Sequence, residues 1–89
     1  MTQHLTHPEI LKRLKRVEGH LRGVIQMIEQ GRDCLDIAQQ LQAVEKAVIT
    51  AKKTLVHDHL DHCLEHMVED SGQSADDMVR AFKEIAKYL

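Results

Sequence analysis

The chain has 89 residues, with 12 Lys or Arg, 14 Asp or Glu and seven His, and its formal net charge is -2. So short a chain forms one domain at most, and its small core commonly depends on a partner or a metal. Its only Phe, Tyr or Trp residues are Phe82 and Tyr88, and four Gly and one Pro supply few turns. This composition disfavours base-stacking platforms and β-rich folds, and it predicts an all-α protein that packs against copies of itself.

Cellular location is predicted from the cysteines and the hydropathy. Cys34 and Cys63 are the only cysteines, too few for a disulfide scaffold. No N-terminal apolar run resembles a signal peptide, and no stretch approaches the roughly 20 apolar residues that span a bilayer. We therefore expect a cytoplasmic protein with reduced thiols and no membrane partner. Basic residues concentrate in residues 1–32 and acidic residues in 57–89, which suggests a basic surface with its own partner.

The first predicted helix spans about residues 7–30. Thr6 and Glu9 form a plausible capping box around Pro8, and Gly31 is a natural stop. Between these ends the apolar residues recur at alternating intervals of four and three, as in a heptad seam. These residues are Ile10, Leu14, Val17, Leu21, Val24 and Ile28.

The second predicted helix, about residues 34–70, is unusually long. Asp33 can cap it, and its apolar seam runs from Ile37 to Met67 without a Gly or Pro. About 37 residues at 1.5 Å each give roughly 55 Å, too long for a compact monomer of this size. We expect this helix to extend past the first one and to find a partner chain. A third helix over about 74–88 completes a single domain, residues 1–89.

A cluster of His and Cys residues lies near the end of the long helix. His59 and Cys63 are four residues apart, so they share one helix face and can bind one metal ion, and His62 and His66 form a second such pair. Cys34 precedes His59 by 25 residues, or about 38 Å along a straight helix. Metal ligands must lie roughly 2.0–2.3 Å from the ion, so one chain cannot bring all three together.

A second chain that runs antiparallel to the first would bring these three ligands together. Cys34 of one chain then lies beside His59 and Cys63 of the other, and the twofold axis falls near residues 47 and 48. We therefore predict an isologous dimer with two equivalent sites. Small side chains permit close backbone approach at the axis, and they recur there every four residues at Ala43, Ala47 and Ala51.

The donor set indicates the metal. Two thiolates and one imidazole form a soft set with few ligands, which suits Cu(I). Zn(II) or Ni(II) usually takes a fourth ligand, which His4, His7, His62 or water could supply, so these metals remain alternatives.

These features resemble the CsoR/RcnR/FrmR family of small bacterial DNA-binding repressors. The matching segments are RLKRVEGHLRG at 13–23, Cys34, QLQAV at 40–44 and HLDHC at 59–63. The resemblance implies three-helix protomers in antiparallel dimers that pair into a disc-like tetramer. It also implies that the metal-free protein occupies double-stranded operator DNA and that metal releases it. The Cys–His–Cys pattern is similar to the copper-sensing branch, in which Cys34, His59 and Cys63 would be the Cu(I) ligands.

The family uses basic residues of its first two helices to bind DNA. The matching residues here are Arg13, Lys15, Arg16 and Lys53, and charge and proximity add Lys12, Lys46 and Lys52. Such phosphate contacts would make the affinity fall steeply with salt.

Several positions depart from the pattern of individual branches. Thr2 stands where nickel and cobalt sensors have a His ligand, although His4 is close by. Asp33 replaces a Tyr of the copper branch, and Asp77 is the nearest candidate for the acidic residue of the last helix that supports the copper ligands. The presence of Cys63 argues against a formaldehyde sensor, and His59 argues against a persulfide sensor.

Other functions remain open from the sequence. A Ni(II) or Zn(II) repressor of the same family and a persulfide or thiol-redox sensor using Cys34 and Cys63 are the main alternatives. A metal buffer without DNA is a third. No nucleophile–base pair or concave apolar pocket is evident, so we expect neither an enzyme nor a small-molecule substrate.

Overall fold

The computed structural model describes residues 7–69 and 75–89, and it describes the side chains of residues 7–62 and 76–89. These residues form three helices, α1 (His7–Glu29), α2 (Cys34–Glu69) and α3 (Ala75–Ala86). The predicted all-α protomer with a long central helix is confirmed. Both α1 and α3 pack against α2, and in the described ranges they do not contact each other. The molecule is therefore elongated, with extents of 59 × 22 × 14 Å.

A tight turn separates α1 from α2. The Arg32 amide donates to the Met27 carbonyl at 2.9 Å, and the Gly31 amide donates to the Ile28 carbonyl at 3.1 Å. This pair of bonds is the Schellman motif, which satisfies the last carbonyls of a helix and requires a left-handed residue. Gly31 supplies it with a φ of 72°. The chain thus reverses within four residues and can begin α2 at Cys34.

Replacing Gly31 by Ala should destabilise the protein by about 1 kcal/mol, because an L-residue in the left-handed region costs roughly 1–2 kcal/mol. Urea unfolding at a fixed protein concentration measures this change. Gly19→Ala is the matched control, since Gly19 lies inside α1 with nothing within 4 Å of an added Cβ. The control should gain about 0.5–1 kcal/mol from helix propensity. Equal effects of the two substitutions would refute the assigned role of Gly31.

The hydrophobic core within one chain is small. Its buried members are apolar, and no buried polar or charged residue occurs among the described side chains. Ile10 and Val24 come from α1 and Met78 from α3, while α2 contributes Val44, Ala51 and Val56. Because two helices lie on one long helix, only part of each apolar seam is covered.

The alanines of α2 differ from the sequence expectation, which placed them at a twofold axis. Ala51 is only 3% exposed and belongs to the core of its own chain. Ala47 lines a cavity together with residues of α1. Ala47 and Ala51 are therefore covered, in part or fully, by their own chain, whereas Ala43 is exposed. Small side chains allow close approach by any neighbour, including a helix of the same chain.

A different face of α2 is apolar and uncovered. Leu41, Val48 and Leu55 are exposed by 43%, 43% and 39%. They recur every seven residues, or about two helical turns, and so lie on one face. Apolar residues of α1 are also exposed, namely Leu11, Leu14, Leu21, Ile25 and Ile28.

In the described part of the chain no helix is both long and apolar enough to cross a membrane.

Candidate metal ligands and a cationic cavity

The three residues with predicted metal-ligand chemistry all belong to α2. Cys34 is the first residue of this helix, and its thiol is exposed and outside any disulfide. His59 lies 25 residues further along the same helix and is half-buried. An unbroken helix of this length separates them by about 38 Å. Cys63 follows on the same helix, and its side chain lies outside the described residues.

No single chain assembles a metal site from its described residues. Within that part of the protein, no group of three or more His, Cys, Asp or Glu side chains lies close enough to hold an ion. The sequence-predicted ligands are instead divided between the two ends of α2.

Cys34 and His59 nevertheless share a face. Cys34 lies seven residues before Leu41, and His59 lies four residues after Leu55. Both intervals return to the same side of an α-helix. The uncovered apolar face thus has a predicted ligand at each end.

Of the supporting residues named from sequence, His62 and Asp77 lie within the described side chains. His62 is half-buried one turn from His59, and Asp77 is exposed in the first turn of α3. His4 lies outside the described residues.

The predicted DNA-binding residues divide into two groups. All seven are exposed on α1 and α2. Arg13, Arg16 and Lys46 line a cavity of about 240 Å³ between the two helices, which is completed by Val17, His20, Ala47 and Thr50. Lys12, Lys15, Lys52 and Lys53 do not line it. The structure therefore brings three of the seven cations together in a concave site.

Among the described residues, no acidic side chain neutralises the charges of this cavity. Ion pairs among the described residues include Glu18–Arg22 at 3.9 Å, Arg32–Asp36 at 3.7 Å and Glu84–Lys87 at 3.4 Å, all exposed. None involves a cavity cation, and no carboxylate is among the lining residues. Three positive groups therefore face one concavity without an acidic partner in the described part of the chain.

A hydrogen bond that sequence reasoning missed crosses from α1 to α2 beside this cavity. His20 Nε2 lies 2.7 Å from Gln40 Oε1. With the amide oxygen as acceptor, Nε2 carries the proton, so the bond holds the imidazole in one orientation. Both residues fall within segments that the resemblance had marked, but a separation of 20 residues gave no sign that they meet.

Comparison with known proteins relates the chain to metal-sensing repressors. Residues 6–85 match the family model described as metal-sensitive transcriptional repressor. The chain is 42% identical over 65 residues to the copper-sensing transcriptional repressor RicR of Mycobacterium tuberculosis, covering 73% of this chain and 68% of that protein. It is 36% identical over 81 residues to the copper-sensing transcriptional repressor CsoR of Bacillus subtilis, covering 89% and 80%.

A solved structure shares the fold. The nickel-responsive transcriptional regulator InrS superposes with a TM-score of 0.83 over 100% of this chain and 99% of that one. Its sequence identity is 24%, so the likeness carries the fold alone.

Proposed function

Since the chain belongs to the CsoR-like family of metal-sensitive transcriptional repressors, we propose that it binds operator DNA when metal-free and is released by Cu(I). The family consists of transcriptional repressors rather than enzymes. The observation that carries the proposal is the placement of Cys34 and His59 at opposite ends of one uncovered face of α2. The ligand chemistry and the two copper-sensing relatives support Cu(I) as the inducer.

The proposed metal site lies between two chains. Cys34 of one chain and His59 and Cys63 of the other would hold the ion, giving two equivalent sites in an antiparallel dimer. The length of α2 supports this arrangement, because about 38 Å within one chain exceeds any coordination distance. An antiparallel copy of the same helix reverses the order of the two ends and brings unlike ligands together.

The exposed apolar side chains support the dimer as its contact surface. Leu41, Val48 and Leu55 lie between the two predicted ligand positions, and Val48 falls at the midpoint where the twofold axis is expected. Burying such side chains is worth roughly 25 cal/mol per Å² of apolar surface. The exposed apolar residues of α1 remain available for pairing dimers into the disc-like tetramer.

The donor set fits Cu(I) better than its alternatives. Two thiolates and one imidazole complete a three-coordinate Cu(I) site, whereas Zn(II) or Ni(II) would need a further ligand such as His62 or His4. X-ray absorption of the loaded protein distinguishes them. Two sulfurs and one nitrogen around the metal are expected, and a six-coordinate shell rich in nitrogen and oxygen would favour the Ni(II)-type alternative.

Release from DNA requires the metal to prefer the DNA-free conformation, since equal affinity for both conformations shifts nothing. Drawing Cys34 towards the partner chain's ligands pulls on the first turn of α2. Because α1 and α2 together form the cationic cavity, a shift of α2 moves Lys46 relative to Arg13 and Arg16. We infer that this change in spacing is what weakens DNA binding.

Asp77, in the first turn of α3, is the proposed acidic residue that supports one of the metal ligands.

Loading with Cu(I) should lower the affinity for operator DNA by about 5- to 150-fold, the usual range of allosteric coupling. His59→Ala should retain Cu(I) on its two thiolates but lose most of this effect. Fluorescence anisotropy with DNA from upstream of the protein's own gene measures both proteins, with and without Cu(I).

His57→Ala is the matched control, because His57 lies on the same helix but is exposed and two residues away, on another face. It should respond to Cu(I) as the unaltered protein does. An unchanged DNA affinity in the Cu(I)-loaded unaltered protein would reject the switch.

A further inference from the structure

We propose that the hydrogen bond between His20 and Gln40 is the joint through which a movement of α2 reaches the cationic cavity. This inference rests on the proposed function and deepens it, because it names the contact that ties the metal-binding end of α2 to α1. His20 and Gln40 are positioning residues, since they act through the residues that bind metal and DNA. The joint, defined as this pair, is closed in the DNA-binding arrangement and open in the released one.

The joint lies between the metal-binding end of α2 and the cations of α1. Gln40 follows Cys34 by six residues, or about 9 Å along the helix. On the other helix, His20 follows Arg16 by four residues and Arg13 by seven. These three side chains therefore lie on one side of α1, and all of them line the cavity. A pull on the first turn of α2 reaches the joint within two helical turns.

Two buried valines flank the joint along the helix axes. Val24 follows His20 by one turn of α1, and Val44 follows Gln40 by one turn of α2. Their exposed fractions are only 2% and 8%. Because the chain reverses between α1 and α2, the two valines lie on opposite sides of the bond, and Val24 is nearer to the connecting turn. The joint thus belongs to the packed part of the contact between these helices.

A hydrogen bond restricts the sliding of two helices more narrowly than apolar packing does. His20 Nε2 donates to Gln40 Oε1 at 2.7 Å, the short end of the range for N–H···O bonds. A sliding of about 1 Å that the side chains do not follow takes the two atoms out of bonding range. Helix shifts of about 1–2 Å are common in allosteric transitions. The joint therefore has two discrete states, closed and open.

The joint can open without leaving a buried polar group. Gln40 is exposed and His20 is half-buried, so water can replace the partner that each one loses. Because protein and water bonds exchange, such a bond shifts an equilibrium between two arrangements by only about fivefold. This shift biases the equilibrium, and a bound metal can still overcome it, since allosteric coupling usually amounts to about 5- to 150-fold.

Removing the bond should favour the released arrangement. Linkage then requires two affinities to move in opposite directions, because DNA binding falls and Cu(I) binding rises. With each affinity measured in the absence of the other ligand, the product of the two changes should be about fivefold. A bond that is equally strong in both arrangements would contribute to folding alone, and its loss would move neither affinity.

Gln40→Leu is the principal variant, because it removes the acceptor at a residue that does not line the cavity. Gln39→Leu is its matched control, since the same substitution is made at an exposed neighbour that the helix turns about 100° away. His20→Ala removes the donor and should behave as Gln40→Leu does. His20→Gln keeps an N–H donor at the ε position and should stay close to the unaltered protein.

Fluorescence anisotropy measures the affinity for the DNA upstream of the protein's own gene, and competition with a chelator measures the Cu(I) affinity. Circular dichroism checks that each variant is folded. Combining His20→Ala with Gln40→Leu should add little to either single change, because both remove the same bond. Unchanged affinities in Gln40→Leu, or a fall in both affinities together, would overturn the joint.

The unaltered protein separates this inference from the proposed function. If it binds the DNA but Cu(I) does not release it, the proposed function fails and the joint fails with it. If Cu(I) releases it but Gln40→Leu has the same two affinities as Gln39→Leu, the joint alone is overturned.

Discussion

Mixing two variants that have each lost the Cu(I) site, Cys34→Ala and Cys63→Ala, should restore Cu(I) binding. In a mixed dimer the Cys34 of one chain meets the intact His59 and Cys63 of the other, so one of the two sites is complete. Random exchange makes half of the dimers mixed, and the tight Cu(I) capacity should recover to about one quarter of the unaltered protein's. Competition with a chromophoric Cu(I) chelator after denaturation and refolding measures this capacity.

A second mixture supplies the matched control. The doubly substituted chain, Cys34→Ala with Cys63→Ala, is exchanged with unaltered protein. In their mixed dimer both intersubunit sites lack a thiolate, so tight binding should be lost from these dimers. A site formed within one chain predicts the opposite in both experiments: no recovery in the first mixture, and a retained site on every unaltered chain in the second.

Two charges placed on the uncovered face of α2 should prevent both dimerisation and tight Cu(I) binding. The double variant Leu41→Glu with Val48→Glu should be monomeric in sedimentation experiments and should lose tight Cu(I) binding, although Cys34 and His59 are unchanged. Twofold symmetry would bring four carboxylates into one apolar contact, and burying a charge without a partner is strongly unfavourable. Both side chains are 43% exposed in the single chain, so its three helices should survive, as circular dichroism would show.

Ile49→Glu is the control for this variant. Ile49 is 40% exposed and adjacent to Val48, but one residue of α-helix turns it about 100° away from the apolar face. It should remain dimeric and bind Cu(I) normally. A monomeric double variant with unaltered Cu(I) affinity would contradict the intersubunit site.

The three helices and the turn between the first two were predictable from the amino-acid sequence. The apolar intervals of α1, the stop at Gly31 and the unbroken run after Asp33 are local features, and helix formation responds to local features. The wide separation of Cys34 from His59 followed from them, because the rise per residue of an α-helix is constant.

The face of α2 that contacts α1 was decided only by the tertiary structure. The sequence contains two stripes on this helix, one of small residues around Ala47 and one of larger residues around Val48. Either stripe could have faced a partner chain, since small residues favour close approach and large ones favour apolar burial. In the fold Ala51 is buried within its own chain, which leaves Leu41, Val48 and Leu55 exposed.

The cationic cavity also depended on the packing of two helices. Sequence reasoning selected seven basic residues by type and resemblance. It could not separate Arg13, Arg16 and Lys46, which line the cavity, from the other four, which do not. It likewise could not join His20 to Gln40. Periodicity along one helix specifies which residues share a face, whereas the rotation and register of a second helix against it are set by side-chain packing between distant parts of the chain.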